Sequence, residues 1–174
     1  MRIFLDSANL EEIKSAIATK LITGLTTNPS TLAKENVTEK EVLYEVNGQV
    51  PVSLEVTSTD ATEMIRQGVE LRKLGDNVVV KVPATKEGLK AAWVLSWNHK
   101  IAVNVTLVFS VAQALLVHQI PTEYMSIFVG RLEDIGQDGI QVVREVAAIN
   151  RNSYPKIIAA SIRSPSHVIN SALA

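Results

Sequence analysis

The sequence contains no cysteine, and this absence excludes several kinds of site. Disulfide bonds, metal sites with thiolate ligands and cysteine nucleophiles are ruled out, and a reducing, cytoplasmic setting is expected. The only three histidines are His99, His118 and His167, and none has an aspartate or glutamate at ligand spacing. The sequence therefore predicts no metal site.

The chain also lacks an excess of charge and a long apolar run. Its 17 Lys and Arg side chains face 18 Asp and Glu side chains, a net charge of -1, so no basic field is available for nucleic acid or an anionic membrane. The apolar N-terminal stretch stops at Asp6, too early for a signal peptide or a membrane span. We expect a single globular domain over residues 1–174.

Short β-branched runs alternate with amphipathic stretches, which is typical of parallel βα units. Seven strands are predicted, near residues 2–6, 22–26, 51–56, 77–82, 101–107, 123–129 and 156–162. Seven helices are predicted near 9–19, 39–47, 60–74, 86–97, 110–118, 138–150 and 165–173. Asp60, Thr85 and Ser110 are predicted N-caps of three of them. The fold class is therefore α/β.

Alternation within the strands separates apolar from polar side chains. Val78, Val80 and Val82 share one face of the fourth strand, which leaves Lys81 on the other. In a parallel barrel one face of each strand meets helices and the other meets the interior. The other strands divide in the same way, and in the fifth strand the helix-facing side is assigned to Val103, Val105 and Leu107. Polar side chains are therefore predicted inside the barrel near the C-terminal ends of the strands. Active sites of parallel barrels form there.

Lys81 is the most informative of these polar groups. Desolvation in an apolar strand favours a neutral amine, which attacks carbonyl groups, and carboxylates at Asp6 and Glu55 could move the protons. The alternative is a structural lysine that forms an ion pair with Glu55 or Asp6.

Two arginines follow the last two predicted strands. Arg131 and Arg163 would stand at one mouth of the barrel, where their guanidinium groups could hold a phosphate. The alternative is a pair of solvated surface charges.

Six segments, in order along the whole chain, resemble the motifs of the small transaldolase family, which also contains fructose 6-phosphate aldolases. They are FLDSAN (4–9), TTNPS (26–30), VVVKVP (78–83), NVTLVFS (104–110), FVGRL (128–132) and AASIR (159–163). An ordered set of this kind is far more specific than any single motif. The resemblance implies a (β/α)8 TIM-barrel fold.

The resemblance also implies a function and a set of roles. Lys81 would form a Schiff base with a ketose phosphate, Asp6 would assist cleavage, and Glu55 with Thr106 would order a catalytic water. Substrate-binding roles would fall on Thr27, Asn28, Asn104, Ser126 and Phe128, with Arg131, Ser161 and Arg163 binding the phosphate. No cofactor is implied, because an iminium on the lysine is itself the electron sink.

Two positions separate the activities in the family, and Glu55 and Phe128 are both of the transaldolase type, where the aldolases carry glutamine and tyrosine. The resemblance thus implies transfer of a dihydroxyacetone unit from sedoheptulose 7-phosphate or fructose 6-phosphate to an aldose phosphate such as erythrose 4-phosphate. Fructose 6-phosphate aldolase is the second candidate.

The family would continue beyond Ala174 into an eighth strand and a C-terminal helix, which this sequence does not contain. We therefore expect an incomplete barrel with open strand edges, which favours a homo-oligomer. A truncated, inactive relative that acts as an interaction module is the candidate from another functional class.

Overall fold

A computed structural model of the chain describes residues 1–150 and 154–174. These residues form two compact units, Met1–Lys81 and Val82–Ala174, and the boundary falls within the fourth strand. The strands are β1 (Phe4–Asp6), β2 (Gly24–Thr26), β3 (Val52–Glu55), β4 (Val78–Pro83), β5 (Val103–Val108), β6 (Tyr124–Phe128) and β7 (Lys156–Ala160). The helices are α1 (Leu10–Thr19), α2 (Pro29–Glu35), α3 (Glu39–Val46), α4 (Ala61–Arg72), α5 (Lys86–Trp97), α6 (Val111–Val117), α7 (Val129–Glu133), α8 (Gly139–Ile149) and α9 (Pro165–Leu173).

In the first unit, β1 pairs with β2, β2 with β3 and β3 with β4, all in parallel. Val52 and Leu54 in β3 and Val80 in β4 are fully buried. The register sets Glu55 directly opposite Lys81. Residues opposite each other in adjacent strands lie on the same face of a sheet, so this register brings the carboxylate and the amine together.

In the second unit, β5, β6 and β7 also pair in parallel and in chain order. The register of β5 against β6 shifts between Val105 and Val108, and Leu107 has a left-handed φ of 59°. The sequence predicted Leu107 on the buried helix-facing side, and that prediction is wrong because its side chain is 37% exposed. The irregularity interrupts the alternation, so Val108 takes the next buried position.

The predicted helix starts are confirmed by their hydrogen bonds. The side chains of Asp60, Thr85 and Ser110 each accept a hydrogen bond from the backbone N–H three residues on. These bonds satisfy donors that a helix cannot satisfy internally. No helix in the described residues is long and apolar enough to cross a membrane.

Two short helices and one strand end differ from the sequence prediction. The helices α2 and α7 were not predicted; α2 follows an Asn-Pro start signal, whereas α7 begins directly after Phe128 without a capping side chain. The strand β7 ends at Ala160, two residues earlier than predicted, because Ser161 adopts a left-handed φ of 57°. Ile162 and Arg163 therefore lie beyond the strand.

The chain's two tryptophans both lie on α5. Trp93 and Trp97 are one helical turn apart, and their rings stack with centroids 6.1 Å apart. Their side chains are 44% and 54% exposed. Helix α5 lies wholly in the second unit, so both indole rings belong to that unit.

Candidate active site

Lys81 is buried in the first unit, with 7% of its surface exposed. Its Nζ lies 2.9 Å from Oε2 of Glu55 and donates a hydrogen bond of 2.6 Å to the carbonyl oxygen of Thr27. Val79, two residues earlier on the same face of β4, is also buried. A charged amine in such surroundings requires a partner, and Glu55 supplies it.

The pair satisfies both interpretations of the lysine. A structural lysine needs a counter-charge, and a nucleophilic lysine needs a group that removes its proton, and a carboxylate at 2.9 Å can do either. Asp6 and Glu55 were both predicted as partners of Lys81. In the part of the chain that the structure describes, Glu55 forms the ion pair. Asp6 is exposed and accepts a hydrogen bond of 3.1 Å from the hydroxyl of Thr26.

Thr27 and Asn28 follow β2 and have structural partners. Thr27 is fully buried, and both its backbone N–H and its hydroxyl donate to the carbonyl of Ser53. Asn28 is the N-cap of α2, and its Oδ1 accepts from the backbone N–H of Thr31. The cap fixes the orientation of the Asn28 side chain and leaves its Nδ2 as the group that can donate to a substrate.

In the second unit, β5 and β6 bring two of the predicted residues together. The hydroxyl of Ser126 donates a hydrogen bond of 2.8 Å to Oδ1 of Asn104, and both side chains are buried. Thr106, two residues further along β5, is also buried. Buried polar side chains on two adjacent parallel strands can bind the hydroxyl groups of a small ligand.

Phe128, at the end of β6, packs against Phe109. Their ring centroids are 5.5 Å apart and the rings are tilted by 51°. A separation of this size lies within the range that aromatic pairs favour. The ring of Phe128 is partly exposed.

Arg163 forms an ion pair that the sequence did not predict. One of its terminal nitrogens, Nη2, donates to Oδ2 of Asp134 at 2.7 Å, and Nη1 donates to Oδ1 of the same carboxylate. The hydrogen bonds from Arg163 lower the pKa of Asp134, and those to Asp134 raise the pKa of Arg163. Because the pKa of Asp134 is lowered on folding, the pair is intact at neutral pH and is lost only as the pH falls through that lowered value.

The other two residues predicted to bind phosphate lie close to this pair in the second unit. Arg131 is exposed on α7, and its charge also lowers the pKa of Asp134. Ser161 accepts a hydrogen bond at its backbone carbonyl from the N–H of Gly130. The structure thus brings the segment after β6 and the segment after β7 together, as the prediction of a phosphate site requires.

Two contacts of the candidate site were not predicted from the sequence. Asp134 carries no local signal, since it lies in a charged stretch after an unpredicted helix. Thr27 was assigned to substrate binding, but its contact with Lys81 is made by its backbone carbonyl. A backbone contact leaves no trace in the residue type, so only the structure reveals it.

The fold and this group of residues define a class of protein. Parallel strands alternate with helices in both units, and a buried amine on the fourth strand is paired with a carboxylate on the third. This is an α/β protein of the (β/α)8 TIM-barrel class that carries a lysine within the sheet.

The chain belongs to the transaldolase/fructose-6-phosphate aldolase family, whose sequence pattern matches residues 3–174. It is 51% identical to a probable transaldolase of Caldicellulosiruptor saccharolyticus, with all of this chain and 82% of the relative covered. It is 49% identical to a probable transaldolase of Nitrosopumilus maritimus, with 99% of this chain and 79% of the relative covered. The predicted family and fold class are confirmed.

Solved structures of lower sequence identity share the fold. A putative mandelate racemase/muconate lactonizing enzyme from Aspergillus oryzae matches 99% of this chain with a TM-score of 0.62 at 13% identity. The chain spans about half of that structure's length, 49%. A dihydrodipicolinate synthase matches 98% of this chain and 73% of its own length, with a TM-score of 0.58 at 14% identity. At these identities the likeness concerns the fold alone.

Proposed function

We propose that this chain is a transaldolase that moves a dihydroxyacetone unit from a ketose phosphate to an aldose phosphate through a Schiff base on Lys81. The observation that carries the proposal is the buried amine of Lys81, 2.9 Å from the carboxylate of Glu55. Family membership and the probable transaldolases to which the chain is similar support it. Sedoheptulose 7-phosphate and fructose 6-phosphate are the proposed donors, and erythrose 4-phosphate is a proposed acceptor.

The proposed reaction begins at the neutral amine. Glu55 takes a proton from Lys81, the amine attacks the ketose carbonyl carbon, and the resulting carbinolamine loses water to form an iminium. Asp6 takes the proton of the C4 hydroxyl as the C3–C4 bond breaks, so an aldose leaves and its bonding electrons form an enamine. The enamine attacks the acceptor aldehyde, and water then hydrolyses the new iminium and restores the amine.

The remaining predicted residues receive binding roles in the same proposal. Thr106 orders the water that Glu55 activates, and Asn28, Asn104 and Ser126 bind the hydroxyl groups of the three-carbon unit. Thr27 holds the lysine amine through its carbonyl. The phosphate is bound by Arg131, Ser161 and Arg163, whose segments lie together in the second unit.

The experiment that tests the proposal is reductive trapping. Incubation with fructose 6-phosphate and borohydride is expected to convert the iminium to a stable secondary amine, so intact mass and peptide mapping should find one adduct, on Lys81. An adduct on another lysine would remove the central assignment. A folded protein that yields no adduct would favour the alternative of an inactive relative that serves as an interaction module.

A second candidate, fructose 6-phosphate aldolase, differs in the fate of the enamine. The aldolase protonates it and releases dihydroxyacetone, which requires an acid near the carbanion. Phe128 carries no acidic hydrogen, and its ring packs on Phe109. This observation favours transfer over release.

Replacing Phe128 by tyrosine should therefore shift the balance toward release. A phenol at this position can donate a proton to the enamine, and general acid catalysis typically contributes at least about 100-fold, so we expect the ratio of released dihydroxyacetone to transferred product to rise by about tenfold or more. Phe109→Tyr is the matched control, because it adds the same hydroxyl to the other ring of the pair. Release that already dominates without the substitution, independent of acceptor, would favour the aldolase.

A further inference from the structure

The guanidinium of Arg163 is held at one edge only. Asp134 engages both terminal nitrogens, with Nη2 to Oδ2 at 2.7 Å, which occupies two of the five N–H donors of the side chain. The remaining donors, on Nε and on the outer positions of both Nη atoms, are not used by Asp134. A guanidinium fixed in this way can bind a second anion through its other edges.

The backbone beside Arg163 is fixed to the same helix. The N–H of Gly130 donates to the carbonyl of Ser161 at 3.1 Å. A Cβ atom at position 130 would lie 2.4 Å from that carbonyl oxygen and 2.8 Å from Nε of Arg163, so only glycine permits this close approach. The arginine side chain thus lies against α7, within reach of Asp134.

A histidine adds a third connection between the two segments. The backbone N–H of Arg163 donates to Nδ1 of His167, and Nε2 of His167 lies 2.8 Å from Glu133. Because Nδ1 accepts a hydrogen bond, the ring hydrogen is on Nε2 and is donated to the carboxylate. Both the backbone and the guanidinium of Arg163 are therefore held by consecutive carboxylates at the end of α7, Glu133 and Asp134.

We propose that Asp134 is a positioning residue for phosphate recognition, which holds the guanidinium of Arg163 so that its remaining donors bind the phosphate of the substrate. This inference rests on the proposed function, because it concerns the same phosphate. It assigns the role to a carboxylate that does not itself contact the substrate.

Asp134 could instead compete with phosphate for the arginine, and the exposure of the pair decides between the two effects. The side chains of Arg163 and Asp134 are 47% and 42% exposed, so repulsion between the carboxylate and a phosphate is weakened by water and salt. Without Asp134 the Arg163 side chain gains conformational freedom, and phosphate binding must then restrict it again. Salt does not screen this entropic cost. Loss of Asp134 should therefore weaken phosphate binding.

The test uses Asp134→Ala in the full chain. We expect KM for fructose 6-phosphate to rise about tenfold, as the loss of one ordered ionic contact implies, while kcat changes less than about twofold. The concentration of unphosphorylated fructose that gives half-maximal borohydride adduct should stay unchanged. Asp134→Glu, which keeps the carboxylate, should restore part of the loss.

Glu63→Ala is the matched control, because Glu63 forms another exposed two-bond pair, with Arg66 on α4 in the first unit. That control should leave both substrates unaffected. A fall in KM of Asp134→Ala at low salt would show that the carboxylate competes with phosphate, and equal losses with phosphorylated and unphosphorylated donors would show a purely structural role. Either result overturns the inference.

Binding of inorganic phosphate, measured by calorimetry, separates this inference from the proposed function. The Kd should rise about tenfold in Asp134→Ala even where no borohydride adduct forms, since it depends on Arg163 and not on Lys81. An adduct on Lys81 together with an unchanged phosphate Kd would overturn the inference and leave the proposed function standing. A tenfold rise in the phosphate Kd without any adduct on Lys81 would support the inference and contradict the proposed function.

Discussion

Replacing Lys81 by arginine is expected to abolish borohydride trapping and to lower kcat/KM by about 10⁴-fold or more. Arginine keeps the positive charge beside Glu55, but its guanidinium stays protonated and cannot form an imine. Loss of a covalent nucleophile removes the entire low-barrier route, which is why the expected effect is larger than for any binding residue. Steady-state transfer kinetics and intact-mass measurement after reduction check both parts.

The arginine side chain is larger than lysine, and overpacking a buried strand costs about 1–3 kcal/mol. A circular dichroism spectrum and a thermal unfolding curve must therefore accompany the kinetics. Lys90→Arg is a suitable control, because Lys90 is an exposed lysine on α5 in an ion pair with Glu87. Trapping that survives in a folded Lys81→Arg protein would show that the nucleophile is another amine.

Removing one member of the ion pair between Glu55 on β3 and Lys81 on β4 is expected to lower the free energy of unfolding more than removing both. Lys81→Met leaves the carboxylate of Glu55 mostly buried without its counter-charge, and breaking a buried ion pair in this way costs about 3 kcal/mol. The double variant Glu55→Gln with Lys81→Met removes both charges and should recover to within about 1 kcal/mol of the unmodified protein. Urea unfolding of the four proteins in this cycle measures the coupling.

The same cycle separates stability from activity. Glu55→Gln alone keeps the amine but loses the carboxylate, and we expect kcat to fall by about 100-fold or more, as for other acid/base groups. The double variant should be stable and inactive, which gives a folded protein without the nucleophile. A Glu55→Gln protein that loses stability but keeps full activity would show that Glu55 only balances the charge of the lysine.

The pairing of Lys81 with Glu55 could be predicted from the sequence, because side chains alternate along a strand and adjacent parallel strands align polar positions. The irregularity at Leu107 could not, since the apolar alternation continues through it and the shift arises from pairing with β6. Helix α2 could also be predicted from the sequence, because Asn28 and Pro29 form a helix start signal.

The partner of Arg163 was beyond sequence reasoning for a physical reason. Its position depends on the left-handed backbone of Ser161, a conformation that serine rarely adopts, and on α7, which starts without a capping side chain. Neither feature leaves a pattern in residue types. The roles of the individual site residues, and assembly into a homo-oligomer, stay predictions.

The placement of Trp93 and Trp97 determines what tryptophan fluorescence reports. Both indoles lie on α5, so the tryptophan emission of the chain, excited apart from that of tyrosine, originates entirely from Val82–Ala174, whereas far-ultraviolet circular dichroism averages over the backbone of both units. The emission is a spectroscopic label confined to one half of the polypeptide. Superimposable denaturation curves from the two signals would identify one cooperative transition, and separated midpoints would give each unit its own stability.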